Sequence, residues 1–210
     1  QPSKSIPDEI TRITGITNEM VAGKSIDLEA VNPIVSSSDI IIAHNASFDR
    51  RFLEKFCDAF ILKPWGCTFK EIPWKEEGFD GAKLGYLANS MGFFFDAHRA
   101  SDDCLATLEL LSKILPIAKI SAFGALLKNA RETTYRVWAE NSPFDFKDLL
   151  KARGYRWNSG NDGHPKSWYL DINTTNLESE LSYLKKDIYQ REQDIVVTKL
   201  TAFDRYSARV

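Results

Sequence analysis

Three side chains in this 210-residue sequence have types and positions suited to hydrolysing a phosphate ester: Asp49, His98 and Asp103. Asp49 stands just after the apolar run Asp39-Ile40-Ile41-Ile42-Ala43, one turn into the segment that follows it. A buried strand feeding a helix aims such a short carboxylate at the end of the sheet, where α/β proteins build their sites, so Asp49 is a candidate ligand. His98 and Asp103 lie at the start of a second helical segment, with Asp102 beside them. If the two helices flank one sheet, these groups face one cleft. Hard oxygen donors of this type suit Mg²⁺ or Mn²⁺ rather than zinc. Cleaving a phosphodiester needs an activated water and neutralised charge on the attacking and leaving oxygens, which two metal ions about 3.5–4 Å apart supply together. A histidine, with a reference pKa of about 6.5, takes the proton of that water near neutral pH. His98 is the candidate general base.

The elements that must position these groups follow from periodicity and punctuation. Pro7 suits the first turn of a short helix through Asp8–Ile13, which Gly15 ends, and a second helical stretch runs near Asn18 to Ala22. The β-branched run from Asp39 to Ala43 reads as a strand covered on both faces. Phe48, Phe52, Phe56 and Phe60, with Leu53 beside them, form the stripe of an amphipathic helix, expected in the core rather than as a base-stacking platform. A strand near Trp65 to Phe69 follows, then a helix carrying Leu84, Leu87 and Met91 that stops at Gly92. A long helix opens at Ala97–Asp103 with Cys104, Leu105, Leu108, Leu111 and Leu115 as its apolar stripe, and Pro116 closes it. Alternating strands and helices predict a layered α/β domain over residues 1–118.

Beyond it the pattern changes to a small α+β domain over 119–210. Helices are expected at Ser121–Ala130, Phe146–Arg153 and Leu177–Tyr189. Strands are expected at Tyr135–Trp138, Ser167–Leu170 and Ile195–Leu200, with the Asn158–Pro165 turn joining Tyr155-Arg156-Trp157 to the second of these. Arg131, Arg136, Lys147, Lys151, Arg153, Arg156 and Lys166 interleave with Tyr135, Trp138, Tyr155, Trp157, Trp168 and Tyr169. Such a pattern grips phosphates and stacks on single-stranded bases in some proteins and is the core and rim of a small module in others; both readings stand.

Hydrophobic residues make up 43% of the chain, enough for real cores, and the net charge of −2 excludes binding of nucleic acid by global positive charge while leaving room for a local basic groove. The three cysteines, Cys57, Cys67 and Cys104, are widely spaced and are expected to be reduced and mostly buried. There is no apolar run of about twenty residues, and the opening Gln1-Pro2-Ser3-Lys4 is not a signal peptide, so a cytoplasmic location without membrane attachment is expected. Because a helical segment starts at once with no strand before it, the chain is expected to be part of a longer one.

Ile6-Pro7, Ile13-Thr14-Gly15-Ile16-Thr17, His44-Asn45-Ala46-Ser47-Phe48-Asp49 and His98-Arg99-Ala100-Ser101-Asp102-Asp103 resemble, in order and spacing, the DEDDh 3′→5′ exonucleases typified by the epsilon subunit of bacterial DNA polymerase III. The likeness covers roughly residues 6 to 115. It implies an RNase H-like exonuclease fold of α/β class, with a central mixed sheet flanked by helices. It also implies a two-metal Mg²⁺ or Mn²⁺ site with Asp49 and Asp103 as ligands, His98 as base, and Asp102 as a neighbour. By the same likeness Thr14, Gly15, Ile16, Thr17 and Asn45 position the terminal nucleotide, with Phe48 packing nearby. The implied activity is hydrolysis at DNA 3′ ends, single-stranded ends included, releasing nucleoside monophosphates, with a polymerase or repair partner. RNA is the alternative substrate. The family's first motif, an Asp-x-Glu on the opening strand, would lie upstream of the Ile13–Thr17 block and is absent from this sequence. A chain without it is expected to be weak or inert as an enzyme, and a non-catalytic nucleic-acid-binding or scaffolding role is the further alternative.

Overall fold

The computed structural model describes residues 1–161 and 163–210, and the chain divides into two compact units, Gln1–Asn129 and Ala130–Val210. The first unit opens with α1 (Asp8–Thr14), entered from Pro7 and ended by Gly15, whose left-handed φ of 66° lets its N–H bond back to the Thr11 carbonyl. The Thr17 hydroxyl caps α2 (Asn18–Val21) by accepting the Met20 N–H. A helix not expected from the sequence, α3 (Leu28–Ser37), follows, capped by Asp27 and carrying Pro33 inside it. Proline removes a helical hydrogen bond, which obscures the signal.

Strand β1 (Ile41–Ala43) runs into α4 (Ala46–Phe56), which leads to β2 (Trp65–Cys67). The strands pair in parallel, Ile41 opposite Trp65, Ile42 opposite Gly66 and Ala43 opposite Cys67, and make a two-stranded sheet. Four helices follow: α5 (Thr68–Glu71), α6 (Leu84–Ser90), α7 (Ala100–Ser112) and α8 (Ala122–Arg131), the last ending just past the boundary of the unit. A Cβ at Gly66 would come 2.9 Å from Leu126 Cδ2, so α8 lies against β2 only because that position has no side chain. Trp65 is fully buried, its indole N–H donating to the Phe60 carbonyl at 3.1 Å. The equally buried Arg50 pairs with Glu54 at 2.7 Å and sets its guanidinium 5.5 Å from the Trp65 ring centroid, which satisfies a charge that would otherwise be costly to bury.

Of the two expected apolar stripes, that of α4 is mostly exposed and that of α7 is divided, with Leu111 and Leu115 buried and Leu105 and Leu108 exposed. Phe48, Phe52 and Phe56 are 62%, 53% and 55% exposed, and of the α4 series and its continuation only Phe60 is buried. On α7, Leu105 and Leu108 are 64% and 66% exposed, while Ala106, Thr107, Leu110 and Leu111 are buried. Periodicity locates an apolar face without saying what meets it, and α7 packs on α6 with the neighbouring face. Cys57 and Cys67 are buried and Cys104 is exposed, all as free thiols.

The second unit contains β3 (Thr134–Ala139), α9 (Lys147–Ala152), β4 (Arg156–Asn158), β5 (Ser167–Asn173), α10 (Leu177–Tyr183, continuing as a π-helix to Tyr189) and β6 (Val196–Leu200). The strands form one antiparallel sheet in the order β4-β5-β3-β6. The expected Asn158–Pro165 turn includes Asp162, which lies outside the described residues. Val137, Ala139 and Ile172 pack with Leu150, Tyr155, Leu184 and Ile188 in the core of this unit. At its edge the buried Glu180 accepts the Tyr155 hydroxyl at 2.9 Å and the Arg153 Nε–H at 2.9 Å and 3.0 Å on its two oxygens. Burial, then the Glu180 charge, push the Tyr155 hydroxyl well above its usual pKa, so it remains a donor. Glu180→Ala strands that buried hydroxyl and releases Arg153, which is partly solvated. The expected loss is about 2–3 kcal/mol, measured by urea denaturation, and Glu180→Gln should recover part of it. Among the described residues no helix is long and apolar enough to cross a membrane.

Candidate active site

The site is built where β1 ends. His44 follows Ala43, and Asn45 takes a left-handed backbone, φ 69°, that swings the chain into α4. The first N–H of that helix, from Ala46, points at the buried Cys67 thiol at 3.4 Å, docking the helix start against β2. This turn puts Asp49 in the first turn of α4, half-buried. Asp103 is in the first turn of α7, its N–H bonded to the Arg99 carbonyl at 2.8 Å.

Asp103 is close enough to bear on the Asp49 carboxyl. Burial raises the Asp49 carboxyl above its ordinary value; its own backbone N–H pulls the other way, and repulsion from Asp103 adds to the rise. Two acids held in this way, both half-buried, form a position of negative potential that a cation relieves. His44, to which sequence reasoning assigned no role, joins them. Its Nδ1 is 2.8 Å from the Thr68 hydroxyl and its ring meets Phe69 edge-on with centroids 5.6 Å apart. Burial holds this imidazole below its usual pKa, against a hydrogen bond to the Ala82 backbone and the attraction of Asp103. His44 therefore works as a neutral pin between the end of β1, the start of α5 and the Ala82 segment. A histidine at the end of an apolar, half-buried strand, directly before the turn residue, is the signal that would have flagged it.

Of the other predicted residues, His98 lies on the exposed turn before α7 with φ 74°, and among the described residues no hydrogen bond joins it to Asp49 or Asp103. Asp102 is half-buried beside Asp103. The Thr14–Thr17 loop is brought to the same turn by Arg99, whose guanidinium donates to the Gly15 carbonyl at 3.4 Å across 84 residues of sequence. The loop's hydroxyls serve its own shape: Thr14 donates to the Ile10 carbonyl and accepts the Ile16 N–H, and Thr17 caps α2. The Ile16 carbonyl accepts the Thr11 hydroxyl. What the loop can offer a nucleotide is its backbone contour. Phe48 is exposed on the turn between Asn45 and Asp49, its ring tilted against Phe52. Gly15 is the weak point of this arrangement, since a Cβ there would sit 2.9 Å from Arg99 Nη2 at a left-handed φ. Gly15→Ala is expected to cost about 1–2 kcal/mol and to free Arg99, seen as a lower thermal midpoint.

Among the described residues no three His, Cys, Asp or Glu side chains stand together as a metal cage. An ion of the Mg²⁺ type does not require one, because it is commonly held by one or two carboxylates with phosphate oxygens and water completing its shell. Asp49 and Asp103 carry oxygen donors of the kind such an ion takes.

The family model described as an exonuclease, of the RNase T type, matches residues 1–111, more than half of the chain. The chain belongs to the DEDDh exonuclease family. Its exonuclease domain is similar to the epsilon subunit of DNA polymerase III from Aquifex aeolicus, 30% identical over 121 residues, which is 54% of this chain and 60% of that one. It is 33% identical over 124 residues to a protein described as a bifunctional exonuclease/endonuclease in Mycobacterium tuberculosis, covering 54% of this chain and 19% of the other. A PolC-type DNA polymerase III from Clostridium perfringens is 31% identical over 121 residues, 52% of this chain and 8% of the relative. The matched stretch thus spans less than two thirds of each of these relatives. No solved structure matches the chain. Membership gives the first unit an RNase H-like exonuclease fold of mixed α/β class and makes it a nuclease domain.

Proposed function

We propose that the protein is a divalent-metal-dependent 3′→5′ exonuclease that hydrolyses phosphodiester bonds at DNA 3′ ends and releases nucleoside monophosphates. The observation that carries this reading is the placement of Asp49 in the first turn of α4, where β1 ends, and of Asp103 in the first turn of α7, in a chain of exonuclease family. In this reading Asp49 and Asp103 hold Mg²⁺ or Mn²⁺, which when bound supplies charge neutralisation at the scissile phosphate and a more acidic water. His98 takes the proton of the attacking water. Asn45 and the Thr14–Thr17 loop orient the terminal nucleotide, and the exposed Phe48 ring lies beside its base.

The rest of the cage belongs to the same proposal. Strand β1 pairs with β2 on one side, and among the described residues its other edge carries no strand. Phe48, Phe52, Leu105 and Leu108 are exposed apolar side chains on α4 and α7. An Asp-x-Glu strand of a longer chain adding along that edge would bring two further carboxylates to the β1 end of the sheet and give an apolar layer something to cover. The partner proposed for such a chain is a DNA polymerase or a repair complex.

The test is cleavage of a 5′-labelled single strand with Mg²⁺ or Mn²⁺, using this chain and a longer one carrying an Asp-x-Glu strand. A ladder shortening from the 3′ end, faster with the longer chain, is expected. Internal cuts, shortening from the 5′ end, or no cleavage by either chain would remove the reading. A matched RNA strand measures the sugar preference, with faster cleavage of RNA overturning the DNA assignment.

A further inference from the structure

We infer that Arg99 is a substrate-binding residue of the candidate site, its guanidinium taking a phosphate oxygen of the nucleic-acid strand beside the terminal nucleotide. The choice of ligand rests on the nuclease reading above; the placement of the cation rests on the geometry of the turn before α7. Arg99 follows His98, and its backbone carbonyl accepts the Asp103 N–H at 2.8 Å, which fixes the residue at the root of the helix that carries one of the acids. Its side chain reaches the loop that follows α1, where Nη2 donates to the Gly15 carbonyl at 3.4 Å. A Cβ at Gly15 would stand 2.9 Å from Nη2 and 3.7 Å from both Cζ and Nε, so the guanidinium lies over the glycine in room that any other residue would fill. One residue thus touches both the loop assigned to the terminal nucleotide and the helix start that holds Asp103.

The tie to Gly15 is a weak one. It is longer than the usual N–H···O bond, and ordering an exposed arginine gives up rotamer freedom, so the contact contributes little to stability. Among the described residues the rest of the guanidinium fork has no protein acceptor, and no carboxylate lies within ion-pair distance of it. The cation therefore keeps its charge at the edge of a site whose other charged members, Asp49, Asp102 and Asp103, are acids. Those acids repel a polyanion, and a cation fixed beside them offsets that repulsion for a phosphate arriving with the strand. A strand whose terminal nucleotide rests on the Thr14–Thr17 loop, with its phosphate at the acids, crosses the span that Arg99 bridges. There the planar fork fits two phosphate oxygens at once, which a point charge does not.

The experiment measures binding of a short fluorescent oligothymidylate to the full chain by anisotropy across a salt series, in EDTA so that hydrolysis plays no part. Arg99→Gln is expected to weaken binding about tenfold at low salt and to lower the log–log salt slope by about 0.7, the share of one phosphate neutralised on a single strand. Arg99→Lys keeps the charge and loses the fork, so it should keep the slope and bind with intermediate affinity. Lys119→Gln removes an exposed charge beyond the far end of α7, about 20 Å along the helix, and should leave affinity and slope as in the unaltered chain. An arginine that served only to shape the loop would lower the thermal midpoint in both Arg99 variants and leave the slope unmoved, and that result overturns the inference. So does an equal loss of slope in Lys119→Gln, or an unaltered chain that does not bind the probe. Failure of the nuclease reading shows separately, in the cleavage assay with metal, as no shortening from the 3′ end while binding that depends on Arg99 persists.

Discussion

Nuclease activity is expected to fall about a thousandfold or more when either Asp49 or Asp103 is replaced by Asn, and Asp49→Asn should at the same time make the metal-free protein more stable. A metal ion at the reacting phosphate is worth several kcal/mol of transition-state stabilisation, and about 4 kcal/mol is a factor of a thousand. The stability gain follows from the sign of the perturbation. Burial and the Asp103 charge raise the Asp49 carboxyl in the folded state. A raised folded value means that this group's contribution to stability is fully present below the unfolded pKa of about 3.9 and is lost as pH rises through the folded value. At neutral pH without metal, the ionised carboxylate therefore costs stability, which an uncharged amide removes. Scanning calorimetry in EDTA should show a higher midpoint for Asp49→Asn. Added Mn²⁺ should raise the midpoint of the unaltered chain, by about 2–4 °C per kcal/mol of linked binding for a protein of this size, and leave the variant unmoved. A variant that keeps its rate, or still responds to Mn²⁺, would remove that residue from the metal site.

The sequence made the framework of this site legible because it is written in local signals. A β-branched run marked β1, glycine at a left-handed position marked the end of α1, and the acids at the start of α7 lay where helix starts favour them. What it could not give was the partner of each face. The aromatic stripe of α4 and the leucines of α7 have helical spacing, yet Phe48, Phe52, Leu105 and Leu108 face outward, since burial depends on which elements come to cover a face. Nor did His44 declare itself. Its role is made by Thr68 and Ala82, which come to it only through the fold. The strands of the second unit were placed by alternation, but the flanking of Tyr169 by Arg136 and Arg156 depends on register, which composition does not carry. The opposite case is α3, invisible because Pro33 sits within it.

His98→Gly is the substitution that separates chemistry from architecture at this site. His98 holds φ at 74°, in the left-handed region where a non-glycine residue is destabilised by about 1–2 kcal/mol and glycine hardly at all. Replacing it with glycine suits the backbone better, so the turn before α7 should keep its shape and the thermal midpoint should hold or rise. If the imidazole is the base, the rate should nonetheless fall by about 10²–10⁴-fold, the usual worth of a positioned proton acceptor. Added imidazole should then restore part of it, because the space left by the side chain opens on solvent. A residue that served only to shape the turn would give the reverse result, with activity kept and no response to imidazole. Asn45, the other left-handed residue beside the acids, provides the control: Asn45→Gly should also preserve the fold, but its loss should appear in KM more than in kcat and be untouched by imidazole, as expected of a group that positions the nucleotide without moving a proton. The left-handed backbone comes easily to Asn45 and at a cost to His98, so of the two it is the histidine whose retention in place of glycine calls for a role of its side chain.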